Sequence, residues 1–344
     1  MSADVLFITG HQMGKDKLTG QYTASGASAR LRVILPAFEL PKYGIHPIVH
    51  SVRNGNLNAL IAVLEENRPT AVIVSKIFDD VALPGVQRAR ELGAVIIVDL
   101  CDNYLSGGDY FSLTSSLVSM ADRITVNTLQ MQSKLVSQGV CKEITVIDDL
   151  VEGDSYKPRA LHTGDSLNLL AFGSKYVCKE LDTQLADLLA LAKKVRLNLE
   201  IVTTLDEETF CWILDAQARY LTETFRISLT MWHENILNQI FARADLVLIP
   251  SSVSEFNETK SPNRCMQSIW SGMPLVAFPL PSYLPFREFC ILKESMAEGI
   301  EAARLISDWE ARIEMGQRFI EGLYTPAVVG QKWARKILEA RECR

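Results

Sequence analysis

The segment DLVLIPSSVSEFNETKSPNRCMQSIWSGMPLVAF, residues 245–278, is the most informative window of the chain. Its opening run, 245–249, is short, apolar and stopped by Pro250, which is the pattern of a buried strand. A polar loop follows, and a helix is expected over 264–271. Gly272 lies just before Met273 and Pro274, where a left-handed helix cap suits glycine. A second apolar run, 274–278, closes a strand–helix–strand unit. Strands buried on both faces and joined by crossover helices make a parallel sheet.

The alternation extends on both sides of this window. Strands are expected at 167–172, 197–202 and 225–229, with helices at 179–194, 206–220 and 234–243. Earlier in the chain, strands at 4–9, 46–51, 70–75, 94–99, 122–126 and 143–148 alternate with helices at 27–43, 56–67, 80–92, 111–120 and 128–138. Residues 149–166 carry neither period, contain Pro158 and two glycines, and read as a linker. Helices near 296–305, 308–320 and 327–341 end the chain. The fold class is therefore α/β, with two tandem Rossmann-like doubly wound domains. The expected limits are 1–155, 165–325 and a C-terminal helical stretch 326–344. Ligands are expected at the carboxyl ends of the strands, in an interdomain cleft.

The bulk numbers agree with a globular protein. The chain has 344 residues, 48% hydrophobic and 22% charged, and a net charge of −6, which gives no reason to expect nucleic acid as a partner. No apolar run is long enough to span a bilayer. The N-terminus enters a strand-like run without a basic leader, so a cytoplasmic location is expected. Seven scattered cysteines without CxxC spacing and five histidines without an i, i+4 pair offer no metal site.

The chemistry gathers at the start of the 264–271 helix. Lys260, Ser261, Asn263 and Arg264 cluster where unpaired N–H groups and the positive end of the helix dipole would face a ligand. Basic residues at a helix start oppose the dipole, which points to an anion such as a diphosphate. A capped surface helix with two solvated cations fits the same residues.

This window resembles the donor-binding segment of GT-B glycosyltransferases of the family-4 kind. The landmarks are Pro250–Ser251, Ser271–Gly272–Met273–Pro274 and Leu275–Val276–Ala277. The family's two glutamates, with seven residues between them, are replaced here by Thr259 and Gln267, so the chain resembles a divergent member. The resemblance implies that Lys260, Ser261 and Arg264 hold donor phosphates and that Asn263 orients the helix start or the sugar. It further implies that Gln267 reaches ribose hydroxyls and that Glu258 contacts the donor sugar in a catalytic role. At 171–180, AFGSKYVCKE, Gly173 makes the turn, Lys179 matches the family's diphosphate-binding lysine by register, and Ser174 stands where the family has arginine, with Lys175 as its candidate substitute. An ordinary strand-to-helix turn with exposed lysines is the alternative. Trp232 stands where the family places the nucleobase, and packing accounts for it equally well.

The first domain is expected to hold the acceptor. The glycine-bearing loop after the first strand includes Gly20, and Arg30 follows in the next helix. Lys76 ends the third strand, and Asp99 and Asp102 end the fourth as a candidate acid–base pair. Either aspartate could instead cap a turn.

What the resemblance implies is a hexosyltransferase-like enzyme. It would move a sugar from a nucleoside-diphosphate sugar to a hydroxyl acceptor that is a glycan, lipid-linked or a protein. Retention of configuration and metal independence are expected, with no cofactor beyond the nucleotide-sugar as co-substrate. Two alternatives are a non-catalytic GT-B-like protein that binds a sugar nucleotide or a partner, and a sugar-nucleotide 2-epimerase.

Overall fold

Val5–Thr9 and Ala71–Ser75 are buried at every position, and their side chains alternate between two separate cores. Leu6, Ile8, Val72, Val74, Ile96 and Val98 enter one core with Leu60 and Val86. Val5, Phe7, Ala71, Ile73 and Ile97 enter the other with Leu31, Trp333 and Ile337. A strand whose two faces are both covered cannot show polar alternation, and the Val/Ile runs follow from that.

The structure is a computed structural model that describes residues 4–15, 21–53, 55–78, 80–162, 164–233 and 236–342. The chain forms two α/β units. The first comprises residues 1–152, 259–261 and 323–344, and the second residues 153–258 and 262–322. No apolar periodicity marks Thr259–Ser261 as part of the first unit.

In the first unit the strands lie side by side, all parallel, in the order Pro47–Ser51, Val5–Thr9, Ala71–Ser75, Val95–Leu100, Arg123–Val126, Ile144–Val146. The strand order reverses between Val5–Thr9 and Ala71–Ser75, so a topological switch point lies beyond Thr9 and Ser75. The register sets Ser51, Thr9, Ser75, Asp99 and Thr125 in one row across the carboxyl end of this sheet. The helix Pro326–Glu342 packs in this unit, burying Val329, Trp333 and Ile337, with Trp333 edge-on to Phe7 at 6.0 Å.

The expected helix over 27–43 is a composite. A three-residue α-turn, Ala27–Ala29, leads into a π-helical turn at Arg30–Ile34, then Leu35–Glu39 and a 3-10 turn at Leu40–Tyr43. The cause is Pro36, which has no N–H to give the carbonyl four residues back, and the Leu35 N–H bonds Arg30 O instead. The polar loop before it contains a short antiparallel pair, Gly14–Lys15 with Tyr22–Thr23.

In the second unit the order is Phe225–Met231, Arg196–Thr203, Ser166–Phe172, Leu246–Ile249, Leu275–Ala277, Ile291–Leu292, again all parallel. Its switch point lies between Ser166–Phe172 and Leu246–Ile249. The strand Ile291–Leu292 is two residues long and escaped the periodicity reading. The expected helix 179–194 is two helices, Tyr176–Asp182 and Leu185–Leu191. They part where the Gln184 N–H bonds Leu181 O in a tighter turn. Gly272 has φ +76°, and a Cβ there would lie 2.4 Å from Lys157 O, so both its handedness and its lack of a side chain are needed.

Candidate functional sites at the two switch points

In the second unit, Gly173 leaves the strand Ser166–Phe172 with φ +154°, a conformation that L side chains rarely adopt. A Cβ built on it would meet the Arg264 side chain at 3.4 Å. Arg264 is the second residue of the helix Asn263–Trp270, whose preceding residue, Pro262, gives no side-chain cap. The switch point thus brings a glycine turn against a guanidinium beside an uncapped helix start. Arg264 lies 3.5 Å from Glu180 Oε2, with side chains 22% and 14% exposed, and Ser251 donates to the other Glu180 oxygen at 3.3 Å. Arg264 also hydrogen-bonds the Tyr283 hydroxyl. Burial pushes the Tyr283 phenol up to about 12, so it stays protonated beside the cation.

Gln267, on the same helix, is 6% exposed and its amide lies 3.5 Å from the Ser271 hydroxyl. Asn263 begins the helix with a buried Nδ2 that has no hydrogen-bond partner. Lys175 and Lys179 meet carboxylates of their own unit. Lys175 is bound to Asp206 at 3.2 Å and Glu208 at 2.8 Å, and Lys179 lies 3.8 Å from Glu208. Trp232 is half-buried, and its backbone N–H bonds Thr203 O. Glu258 is exposed in a 3-10 turn, Asn257–Thr259.

The expected four-residue cluster at 260–264 is divided. Lys260 and Ser261 belong to the first unit, where Lys260 Nζ lies 2.6 Å from Asp102 Oδ1 and Ser261 donates to Asp149. The Thr128 hydroxyl holds Thr259 O at 3.1 Å. These contacts account for the tripeptide's membership of that unit.

At the first unit's switch point Lys76 takes φ +55°, a strained value for a side-chain-bearing residue. Its ammonium pairs with Asp102 Oδ2, hydrogen-bonds Tyr104 Oη at 2.8 Å and lies 4.9 Å from the Tyr104 ring centroid. Burial alone would raise the Asp102 pKa. Lys260 and Lys76 outweigh it and hold the carboxyl below its ordinary value. His11, just past the first strand, bonds Ser28 Oγ at 2.9 Å. Burial first, then Lys76 and Arg53, bring it down to about 4, so the imidazole is neutral near pH 7. Rings continue from it in edge contacts: His11 to Phe78 at 5.3 Å, Phe78 to Tyr110 at 5.4 Å, Tyr110 to Tyr104 at 5.3 Å.

Asp99 behaves differently from Asp102. It is 1% exposed and accepts from Arg32 Nε at 3.1 Å and Nη2 at 2.5 Å, from Ser75 at 2.9 Å and from Thr125 at 2.8 Å. Four donors occupy its lone pairs, which argues for a structural role instead of the expected acid–base one. Arg32 is fully buried, bonds Ile147 O, lies 3.3 Å from Asp149 and sits over the Trp333 ring. Arg30, expected to meet a ligand, is clamped by Glu152 through bonds of 2.6 and 3.0 Å. Gly20 lies outside the described residues.

The sequence reading passed over Glu180, Tyr283, Arg32, Asp149 and Tyr104. Only Tyr283 carried a local sign, a proline-rich turn, PLPSYLPF, directly after a strand. Among the described residues no group of three or more His, Cys, Asp or Glu side chains is placed to hold a metal ion, and no helix is long and apolar enough to cross a membrane.

No protein-family profile matches the sequence, and no curated protein is significantly similar to it. Solved structures are similar over the whole chain. HepE from Anabaena in complex with UDP superimposes with a TM-score of 0.66 at 12% identity, covering 98% of this chain and 100% of that one. A glycosyltransferase from Rickettsia africae gives 0.71 at 11% identity, covering 98% of each chain. A trehalose-6-phosphate synthase studied for glycosyl transfer with retention gives 0.63 at 13% identity, covering 97% of this chain and 93% of that one. At such identities the likeness speaks for the fold, and the fold is GT-B.

Proposed function

We propose that this chain transfers a sugar from a nucleoside diphosphate to an acceptor hydroxyl. The observation that carries the reading is the approach of Gly173 to Arg264 at the second unit's switch point. A turn without a side chain, a guanidinium and the free N–H groups of a helix start together match a diphosphate. In this reading Arg264, hydrogen-bonded to Tyr283, stabilises the charge that develops on the leaving diphosphate. Asn263 and Gln267 lie on the same helix and serve the phosphate and the ribose, and Trp232 serves the base. Lys175 and Lys179 reach the diphosphate only by exchanging Asp206 and Glu208 for it, and Glu258 supplies the sugar contact. Asp102, kept ionised by Lys76 and Lys260, receives the acceptor.

HepE has been solved with UDP and with UDP-glucose, which makes UDP-sugars the first donors to test. Retention is supported by the likeness to the synthase alone, since Thr259 and Gln267 stand where the family has glutamates. Cationic groups opposite the diphosphate favour a metal-independent reaction, and the reading keeps the enzyme in the cytoplasm.

A second reading, binding of a sugar nucleotide without transfer, draws on one fact. Lys260 and Arg264 are each already faced by a carboxylate, Asp102 and Glu180. The test is a thermal-shift screen of UDP-, GDP-, ADP- and dTDP-sugars, followed by assay of released nucleoside diphosphate. Stabilisation by one donor with release, both lost in Arg264→Ala, supports transfer. Stabilisation without release across a broad acceptor set supports binding alone, and no stabilisation by any donor overturns both.

A further inference from the structure

The two six-stranded sheets have four edges, and three of them are blunted. Pro47–Ser51 opens on a proline, Ile144–Val146 has three residues and Ile291–Leu292 two. The fourth, Phe225–Met231, has seven residues, no proline and a single charge, Arg226. Its even-numbered residues turn their backbone groups to the neighbouring strand, as the bonds from Leu197 N–H to Thr224 O and from Trp232 N–H to Thr203 O show. The odd-numbered ones therefore point off the edge. Part of that edge is closed. Thr222 bonds both backbone groups of Phe225, and the Gln217 amide donates to Ile227 O at 2.8 Å. The open stretch runs from the Ile227 N–H to Met231 with Leu229 at its centre, and neither backbone group of Leu229 meets a partner among the described residues.

The helix Glu207–Tyr220 flanks this edge and carries an apolar stripe along it. Phe210, Leu214 and, just past the helix, Leu221 are 51, 51 and 55% exposed, and Met231 on the strand itself is 59% exposed. Phe210, Leu214 and Gln217 stand four and three residues apart and share one helix face. The bond from Gln217 to Ile227 fixes that face as the one beside the strand edge. Apolar groups exposed side by side mark an interaction surface, where scattered single ones do not. Helix and strand run in opposite directions, joined by the turn that Thr222 and Phe225 close. Measured from Gln217 and Ile227, Leu214 lies about 4.5 Å along the helix and Leu229 about 6.6 Å along the strand, so the two are roughly level.

Both layers are thus centred on one point, which is the condition for a two-fold contact with an identical surface. We propose that this edge of the second unit is a homodimer interface, in which Phe225–Met231 pairs antiparallel with the same strand of a second copy about Leu229. The two Leu229 residues exchange N–H···O bonds, Ile227 faces Met231 on either side of them, and Leu214 meets its counterpart in the helix layer. Arg226 falls opposite Trp232, so no like charges meet across the seam. A lipid surface fits less well, because Glu207, Glu208, Asp215 and Glu223 are exposed around the stripe. A lone strand from another protein would use the open bonds and leave the helix stripe uncovered. The proposal stands apart from the transferase reading.

The test is analytical ultracentrifugation of the full chain from about 1 to about 100 µM. Wild type is expected to pass from one to two chain masses across that range. Amide exchange by mass spectrometry should slow, on going from the dilute to the concentrated end, at Ile227, Leu229 and Met231, whose N–H groups enter the seam. Leu214→Glu changes a half-exposed position and should melt like wild type. It should weaken dimerisation at least about hundredfold, since two carboxylates would be buried at the axis. Leu305→Glu, at an 87% exposed position ending the helix Met296–Arg304, should leave dimerisation unchanged. A chain that stays monomeric throughout overturns the proposal. So does a dimer whose exchange over 225–231 is not slowed, or one that survives Leu214→Glu in a variant that melts like wild type. If that variant melts lower, the wild-type exchange over 225–231 decides alone. Cosedimentation of a monomer with phosphatidylcholine vesicles assigns the stripe to a lipid surface and overturns the proposal as well.

Discussion

Replacing Asp99 by asparagine tests whether this carboxylate is framework or chemistry. The substitution keeps the volume and one acceptor, removes the charge, and turns an NH2 toward the group of donors from Arg32, Ser75 and Thr125. Arg32 and Asp99 are both 0% exposed at their side chains, so water cannot compensate. Breaking a buried pair of this kind costs about 3–5 kcal/mol, because the remaining charge is left unpaired. Asp149, 3.3 Å from Arg32 Nη1, retains part of the compensation. The expected loss therefore lies at the lower end, about 3 kcal/mol. For a unit of this size that is a fall of roughly 6–12 °C in melting temperature. The two units need not unfold together, so a single transition is a poor readout. Amide exchange by mass spectrometry on peptides from 71–75 and 95–100 reports the first unit directly, and protection there should drop about 100-fold. Nucleoside diphosphate release per folded molecule should change little. A loss below about 1 kcal/mol, accompanied by abolished release, would refute the framework role and return Asp99 to the chemistry.

Three further outcomes follow from the same geometry. Gly173→Ala forces a side chain onto φ +154° against Arg264, and should cost about 1–3 kcal/mol and weaken nucleotide-induced stabilisation in a thermal-shift assay. Glu180→Gln removes the carboxylate 3.5 Å from Arg264. UDP should then bind about fivefold tighter by calorimetry, the worth of a partly exposed pair of ~1 kcal/mol, and weaker binding would show that Glu180 is needed to aim the guanidinium. His11 has a folded pKa of about 4 against 6.5 for the unfolded chain. The unfolded state therefore binds the proton first, and stability present above pH 6.5 is lost as pH falls toward 4. His11→Gln should flatten that part of the urea midpoint against pH, and parallel curves for the two proteins would contradict the buried neutral imidazole.

The parts of the fold that local chemistry writes were legible. The runs at 4–9, 70–75 and 94–99 could be read as buried strands because a doubly covered strand has no polar face to disguise it. The π-helical turn at Arg30–Ile34 was not, although Pro36 was in plain view, since a missing N–H can equally kink, end or widen a helix. Site residues at strand ends could be nominated from topology, as Lys76 and Asp102 were, and Gly173 from the family resemblance. Their partners could not, because those contacts join distant parts of the chain. Asp99 finds Arg32 across 67 residues, and Lys260 finds Asp102 across 158. A reading confined to neighbours therefore grouped Lys260 with Arg264 by sequence proximity, whereas packing divides them.

The composition of the first unit from three separate stretches of chain, 1–152, 259–261 and 323–344, bears on how this protein could be recombined. A hybrid that exchanges everything before residue 153 with another member of the fold would inherit a foreign partner for Lys260 and for Trp333 at once. The lysine would face whatever replaces Asp102, and the indole whatever replaces Phe7 and Arg32. Modular exchange of the first unit thus requires three coordinated grafts, the middle one only three residues long. Crossovers placed by sequence boundaries alone would break both junctions.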